Sequence, residues 1–293
     1  MNPDEYAAQQ AIISQQTFYF VRNQAKFLQP QQLTTVAWLR VLQQMFPYIQ
    51  FQRDSAAKLG RRFYDSQRHA AAPGLPPHPR PLEGTDWAEF VKNMEPARLR
   101  MQMINSPEDA LTYMAMRAVR EVENAGRQQV IHAVENDPEP QILRGWARVA
   151  TGAETCAWCL MLVSRGPAYF SAESAGLKNV SDEAALSMVA AGTDLSGAME
   201  EWHDNCDCKV VPVFKNVLWT GQAAADRALE AWNDAVREAT AIQESDAGPT
   251  IHPSGRNKGA PMTLNQEAQN ALRRQLARGD LSATQFAGLK SAA

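Results

Sequence analysis

Apolar residues recur every three or four positions over most of the first 135 residues, which is the spacing of amphipathic helices. This pattern predicts a helix over 4–28 that Pro30 ends, a second over 32–46, and a third that follows Pro47. It resumes over 86–104 and again from 106 to about 134, where Ser106 is a plausible N-cap and Pro107 suits the first helical position. The N-terminal part is therefore predicted to be helical.

The pattern changes to alternating apolar and polar residues at 145–150, which predicts a strand leading into a cysteine-containing stretch. The apolar run Val210 to Phe214 predicts a second strand. Because proline cannot donate to a strand ladder, Pro212 places that strand at a sheet edge or at a bend. A short helix is predicted from Ser181 to about Ala191. We therefore expect an α+β fold that is mainly α, with a helical N-terminal part, a small α+β cysteine-containing module and a C-terminal helical hairpin.

Two stretches interrupt the helical pattern and suggest boundaries. Residues 71–85 hold five prolines and two glycines, which predicts an extended linker in which His78 is a solvated loop residue. A polar segment with glycine and proline covers 244–261 and predicts a flexible linker. These boundaries predict an N-terminal helical region at 1–70, a helical plus α+β Cys/His module at 86–243 and a helical hairpin at 262–293.

Composition and charge narrow the class of protein. The 293 residues are 45% hydrophobic, which is enough for a real core and excludes a wholly disordered chain. The net charge of −3 argues against a general nucleic-acid coat, because such binding needs many contacts from Lys and Arg to phosphate. The N-terminus lacks a signal-peptide pattern and no apolar run is long enough to span a bilayer, so we expect a cytoplasmic protein without a membrane partner.

All four cysteines lie between Thr155 and Phe214, in the pattern CxxC, a long insertion, and HxxCxC. Paired thiols and an imidazole are the ligands of structural Zn²⁺ sites, and in a reducing cytoplasm clustered thiols more often bind metal than form disulfides. The insertion of 43 residues, 160–202, means that the fold itself must bring the two pairs together. Buried apolar thiols, with the histidine fixing a turn, or redox or catalytic thiols, are the alternatives. The candidate zinc ligands are Cys156, Cys159, His203, Cys206 and Cys208.

The C-terminal part carries a further candidate surface. An amphipathic helix is predicted over 222–241, and 262–289 is predicted to form a helical hairpin with Gly279 and Asp280 at its turn. Arg273, Arg274 and Arg278 give the hairpin a basic side that could contact DNA or an acidic partner. A solvated helix face is the alternative for these arginines.

The stretch from Gly145 to Phe214 resembles the phage Mu protein F-like minor head proteins, as found in actinobacterial tailed phages. The resemblance rests on Gly145-Trp146, Cys156-Ala157-Trp158-Cys159, Ser164-Arg165-Gly166-Pro167-Ala168-Tyr169 and His203-Asp204-Asn205-Cys206-Asp207-Cys208. It implies a minor capsid or head-morphogenesis protein that acts near the portal, with the portal, major capsid and scaffold proteins as partners. It also implies assembly in the host cytoplasm and a final place in the virion, in the capsid interior or at the portal vertex.

The resemblance also implies an alternative function, because in related phages proteins encoded at this position near the portal have been labelled capsid maturation proteases, which are peptidases. A protease needs a nucleophile, a base and a group that orients the base. Cys206 or Cys208 beside His203 and Asp204 has the right residue types, but sequence neighbours seldom point at one another as a dyad must. Ser164 and Ser171 lack a nucleophile-elbow pattern, and neither His69 nor His132 is linked to a serine by the sequence. The sequence therefore favours a structural protein.

Overall fold

The structure is a computed structural model that describes residues 1–82, 84–153, 155–167, 202, 206–245, 248–253 and 258–290. The helix predicted from Ser181 to Ala191 lies outside the described residues, and so does His203.

Four helices form the N-terminal part: α1 Pro3–Ala25, α2 Thr35–Ala71, α3 Trp87–Met103 and α4 Pro107–Glu135. Their starts follow from local capping chemistry. The Asn2 side chain and Glu5 form a capping box at α1, and the Ser106 side chain accepts from the Asp109 amide at α4, as the sequence predicts. Among the described residues, no helix combines the length and the apolar composition that crossing a bilayer requires.

The predicted break at Pro47 is wrong, because α2 runs continuously through this residue. A proline inside a helix removes one hydrogen bond and strains the preceding turn, at a cost of about 3 kcal/mol. The buried side chains of Trp38, Leu42, Met45 and Ile49 lie on both sides of it and join the apolar core that the N-terminal helices build. Burial of four large side chains at about 1.5–3 kcal/mol each outweighs the strain of one proline.

Two strands, β1 Leu143–Val149 and β2 Lys209–Phe214, pair antiparallel with Trp146 opposite Pro212 and Arg148 opposite Val210. The predicted strands are confirmed. In the described part of the chain the sheet has two strands, so β2 is an edge strand. Pro212 is tolerated there because its missing N–H is not needed by a further strand.

The remaining described helices are α5 Ala157–Val163, α6 Gln222–Gln243 and α7 Leu264–Arg278. Gly279, with φ of 80°, ends α7 in the left-handed region that glycine tolerates, as expected for the predicted turn. A short 3₁₀ helix at Ala283–Phe286 follows it. The predicted fold class, mainly α with a small sheet, is confirmed.

In the part of the chain that the structure describes, buried apolar residues form two clusters. One is built by the N-terminal helices and includes Trp38, Phe90 and Met114. The other surrounds the sheet and the cysteines, and it combines residues that are far apart in sequence, from Tyr6 to Leu289. The cysteine segment therefore lies inside a core to which both ends of the chain contribute, and the predicted division into separate regions stays a prediction.

The proline-rich stretch after α2 packs against that helix. Arg68 Nη1 donates to the Pro76 carbonyl at 2.6 Å, and the Arg80 guanidinium lies 4.9 Å from the centre of the Tyr64 ring. His78 is 8% exposed, with its ring 6.1 Å from that of Tyr64. The prediction of a solvated His78 is therefore wrong, because the arginine contacts hold the extended chain on the helix.

Candidate metal centre

The two halves of the cysteine motif are positioned by different elements. Cys156 is the N-cap of α5, and its Sγ accepts from the Cys159 amide at 3.5 Å, so the CxxC spacing forms the first turn of a helix. Cys206 and Cys208 immediately precede β2. Pairing of β2 with β1 brings these residues back to the start of α5 across the long insertion.

Three thiols meet in the core. The Sγ atoms of Cys159, Cys206 and Cys208 all lie within 4.8 Å of one another, and those of Cys159 and Cys206 are 3.5 Å apart. Thiolates around a tetrahedral zinc, with bonds of about 2.3 Å, are about 3.8 Å apart, whereas a disulfide is about 2.05 Å long. None of the four cysteines forms a disulfide, and these three are buried. The spacing and the soft donor atoms fit a divalent thiophilic metal ion.

The other two predicted ligands, Cys156 and His203, do not belong to this group of three thiols. The Cys156 thiol is a hydrogen-bonding partner of the Cys159 thiol, but it is partly exposed and does not belong to the group of three. His203 lies outside the described residues. The structure therefore brings together three of the five predicted ligands, and the complete ligand set stays a prediction.

The pKa values of the three thiols are shifted in different directions. Hydrogen bonds from Cys159 and Cys208, together with nearby Arg127 and Arg148, hold the pKa of Cys206 well below its usual range despite burial. The pKa of Cys159 is raised by its hydrogen bonds to the other thiols and by burial. For Cys208, the hydrogen bond with Cys159 lowers the pKa, but Cys206 and burial outweigh it and the pKa is raised. Cys206 is therefore the thiol of the three that ionises most readily.

Two buried arginines hold the segment that carries Cys206 and Cys208. The Trp202 ring lies between them, with its centre 4.2 Å from the Arg127 guanidinium carbon and 3.7 Å from that of Arg148. Arg127 Nη2 also donates to the carbonyls of Cys206, at 3.1 Å, and Cys208, at 3.3 Å. These contacts fix the backbone on which two of the thiols depend, which is how outer-shell groups orient metal ligands.

Glu123 binds Arg127, one of these two arginines, on α4. Its carboxylate accepts from Arg127, from Lys209 Nζ at 3.1 Å and from the Ser14 hydroxyl at 2.8 Å. Burial alone would raise the pKa of Glu123, but Lys209 and Arg127 outweigh it, and the pKa is lowered. Glu123 is therefore an ionised partner shared by two cations.

Asp207, between two of the clustered cysteines, ties them to the loop after β1. Its Oδ2 accepts from the Gly152 amide at 2.9 Å and from the hydroxyls of Thr151 at 3.2 Å and Thr155 at 2.9 Å. Since this loop leads into Cys156, the contact fixes one half of the cysteine motif relative to the other.

The sequence interpretation missed Arg127, Arg148 and Trp202 as part of the site. The sequence around Arg148 could have indicated its role, because Arg148 is the one charged residue in the apolar run from Trp146 to Ala150. A charged residue in such a strand is seldom buried without a partner. Arg127 carried no comparable signal, since it lies on a long helix with many charged positions.

Of the residues weighed for peptidase chemistry, Ser164 and His69 have ordinary surroundings. The Ser164 hydroxyl donates to the Met161 carbonyl at 2.7 Å at the end of α5, and His69 is exposed on α2. Ser171, like His203 and Asp204, lies outside the described residues. The clustered thiols are buried, which keeps a substrate peptide from reaching them.

The arginines of α7 are engaged within the chain. Arg274 pairs with Glu238 at 2.6 Å and Arg278 with Asp280 at 2.7 Å, while Arg273 Nη1 donates to Asn270 at 2.6 Å. The three arginines on the predicted basic side therefore already have partners within the chain. A phosphate group would have to compete with these partners for the guanidinium groups.

Fold and site together define a mainly helical α+β protein with a candidate metal centre in its core. The chain belongs to the VG15 protein family, whose sequence model matches residues 2–247. It is 46% identical over 276 residues to the Gene 15 protein of Mycobacterium phage D29, covering 92% of this chain and 96% of the relative. It is also 46% identical over 303 residues to the Gene 15 protein of Mycobacterium phage L5, covering 98% and 99%. No solved structure matches the chain.

Proposed function

We propose that this chain is a minor capsid protein that acts in head morphogenesis near the portal of a phage, and that a zinc ion holds its cysteine module together. Membership of a family with mycobacteriophage relatives supports a phage protein. The resemblance of 145–214 to the Mu protein F-like minor head proteins supports the specific role.

The observation that carries the metal part of the proposal is the group of three buried thiols, Cys159, Cys206 and Cys208. Zinc fits them because thiolates prefer a soft divalent ion and a structural zinc site needs no open position. Cys156 or His203 would complete four ligands. The ion would supply a cross-link between α5 and β2, two elements separated by the long insertion.

A metal that joins α5 to the start of β2 would have a structural role. The portal, major capsid and scaffold proteins are the partners we propose, with assembly in the host cytoplasm and a final place in the capsid interior or at the portal vertex. DNA contact through Arg273, Arg274 and Arg278 is a further part of this proposal, and it predicts binding that weakens steeply with salt.

Metal analysis of protein purified in reducing buffer tests the zinc site. We expect about one zinc per chain, since the cluster offers one set of ligands. Folded protein without bound metal, which also fails to take up added zinc, would contradict the site.

Co-expression with the major capsid, scaffold and portal proteins tests the role in assembly. We expect this chain to co-purify in low copy with heads or portal, while the masses of the other proteins stay unchanged. A shortened capsid or scaffold protein that appears only when this chain is present would instead support the capsid maturation protease.

A further inference from the structure

We infer that Arg148 is the counter-charge of the metal centre, so that the protein holds a negatively charged metal–thiolate complex against a buried guanidinium. This inference rests on the proposed metal site and adds to it a net charge and a residue that determines metal affinity.

Arg148 is buried, and among the residues that the structure describes no carboxylate pairs with it. It lies in β1 opposite Val210 and is 2% exposed. Its Nε and Nη1 atoms have no hydrogen-bond partner within the part of the chain that the structure describes. Its guanidinium carbon lies 3.7 Å from the centre of the Trp202 ring, which attracts a cation but accepts no strong hydrogen bond. Removing a charge from water without a paired ion is expensive, so an arginine in this position needs an anion.

The neighbouring ions do not supply that anion. Glu123 already accepts from both Arg127 and Lys209, and Asp207 is engaged by the loop after β1. Counted over the described residues and with Arg148 included, three cations face two carboxylates around the cysteines, which leaves one positive charge in excess. A divalent ion bound to three thiolates and one neutral ligand carries one negative charge. The group formed by Cys159, Cys206 and Cys208 therefore supplies the missing charge once a metal is bound.

The same argument distinguishes the two candidates for the fourth ligand. An imidazole or a water molecule is neutral and leaves the complex with one negative charge, which Arg148 cancels. A fourth thiolate from Cys156 would add a second negative charge, for which the described surroundings hold no cation. Cys156 is partly exposed, whereas the other three cysteines are buried, which agrees with three thiolate ligands that do not include Cys156.

The test compares the parent with Arg148→Met, which keeps an unbranched side chain as far as the position of Nε and removes the charge. With zinc competed by a chelator of known affinity, we expect Arg148→Met to bind zinc about 10- to 100-fold more weakly, as for other outer-shell changes. In the zinc-free full-length protein we expect a smaller change in melting temperature than with zinc, because only the zinc-loaded parent gains stability from the tighter binding.

Arg68→Met is the matched control, because Arg68 is equally buried but has its own carboxylate partner, with Nε 2.6 Å from Asp137 Oδ2. It should lower the melting temperature with and without zinc and leave zinc affinity unchanged. If Arg148→Met is insoluble, Arg148→Lys and Arg148→Gln replace it, and the lysine variant should bind zinc at least tenfold more tightly than the glutamine variant.

The outcomes separate the two proposals. If the parent protein takes up no zinc, both the proposed metal centre and the role of Arg148 are ruled out. A parent that binds zinc, together with an Arg148→Met variant that binds equally well and melts lower in both states, leaves the metal centre standing and overturns the role of Arg148. Equal zinc affinity of the lysine and glutamine variants overturns it as well.

Discussion

Cys206 and Cys156 have different surroundings although the sequence pattern predicts both as ligands. Cys206 is buried among two other thiols, whereas Cys156 is partly exposed and caps α5. We expect Cys206→Ser to lose bound zinc and to melt well below the parent, because metal binding contributes directly to folding. At free zinc 1,000 times the dissociation constant, that contribution is about 4 kcal/mol.

Cys156→Ser is the companion variant, and we expect it to retain more zinc and more stability than Cys206→Ser. Metal content and thermal melts of the two proteins, prepared side by side, check the order. Equal loss in both variants would assign Cys156 to the ligand set and remove the three-thiolate description.

Asp137 provides a test that depends on pH. Its carboxylate accepts from Arg68 and from the Tyr64 hydroxyl, and these hydrogen bonds outweigh the effect of burial and lower its pKa. A lowered folded pKa contributes stability that is complete above the unfolded value of about 3.9 and is lost as the pH falls through the folded value. Removing one partner of such a buried pair costs about 3–5 kcal/mol.

We therefore expect Asp137→Asn to lose about that much unfolding free energy at pH 6. The difference between variant and parent should shrink below pH 4. Urea denaturation at both pH values measures it. A difference that stays constant down to pH 3 would show that the ion pair is not its source.

What the sequence could predict at this scale depended on how local the signal was. The cysteine pairs were found because two ligands two or three residues apart are visible in any short window. Arg148 and Arg127 were missed because their relation to Trp202 exists only after β1, β2 and α4 have packed. Such contacts between distant residues have no sequence spacing by which to recognise them.

Helices α2 and α4 cross at a point where neither has room for a side chain. A Cβ added at Gly60 would lie 2.5 Å from the Gly126 carbonyl oxygen. Alanine is normally better than glycine inside a helix by about 1 kcal/mol, but a clash with rigid backbone costs about 1–3 kcal/mol. We expect Gly60→Ala to lower the unfolding free energy, with the clash outweighing the propensity.

Gly74→Ala is the control for that experiment, since a Cβ there meets nothing within 4 Å. It should change stability by less than about 0.5 kcal/mol. Chemical denaturation compares the two, and a Gly60→Ala variant more stable than the parent would show that the helices can separate at no cost. The periodicity of α2 and α4 predicted both helices, but a close crossing depends on two glycines that are 66 positions apart and was not predictable.

The molecule as a whole depends on its C-terminal part. Leu272, Phe286 and Leu289 are buried in the cluster that surrounds the sheet, together with Ala268 and Ala271. Three fully buried large side chains contribute roughly 5–9 kcal/mol, which is comparable to the total stability of a typical domain. We expect a chain truncated after Gln243 to be insoluble or to lack a cooperative melting transition.

A pair of point variants gives the same information without deletion. Leu272→Ala should cost about 2–5 kcal/mol, whereas Leu218→Ala, at a position that is 95% exposed, should cost less than about 0.5 kcal/mol. A Leu272→Ala variant as stable as Leu218→Ala would show that α7 packs loosely and that the truncated chain should fold.

The Lys290 amide donates to the Asp4 carboxylate at 2.9 Å, a contact between residues 286 positions apart. On a ribosome, residue 290 emerges after every helix and strand described above. Helix α1 packs mainly on α2 and α4 and can find these partners early, whereas the core around the cysteines gains Leu272, Phe286 and Leu289 only after α7 has been made. The order of synthesis therefore sets when this core can close.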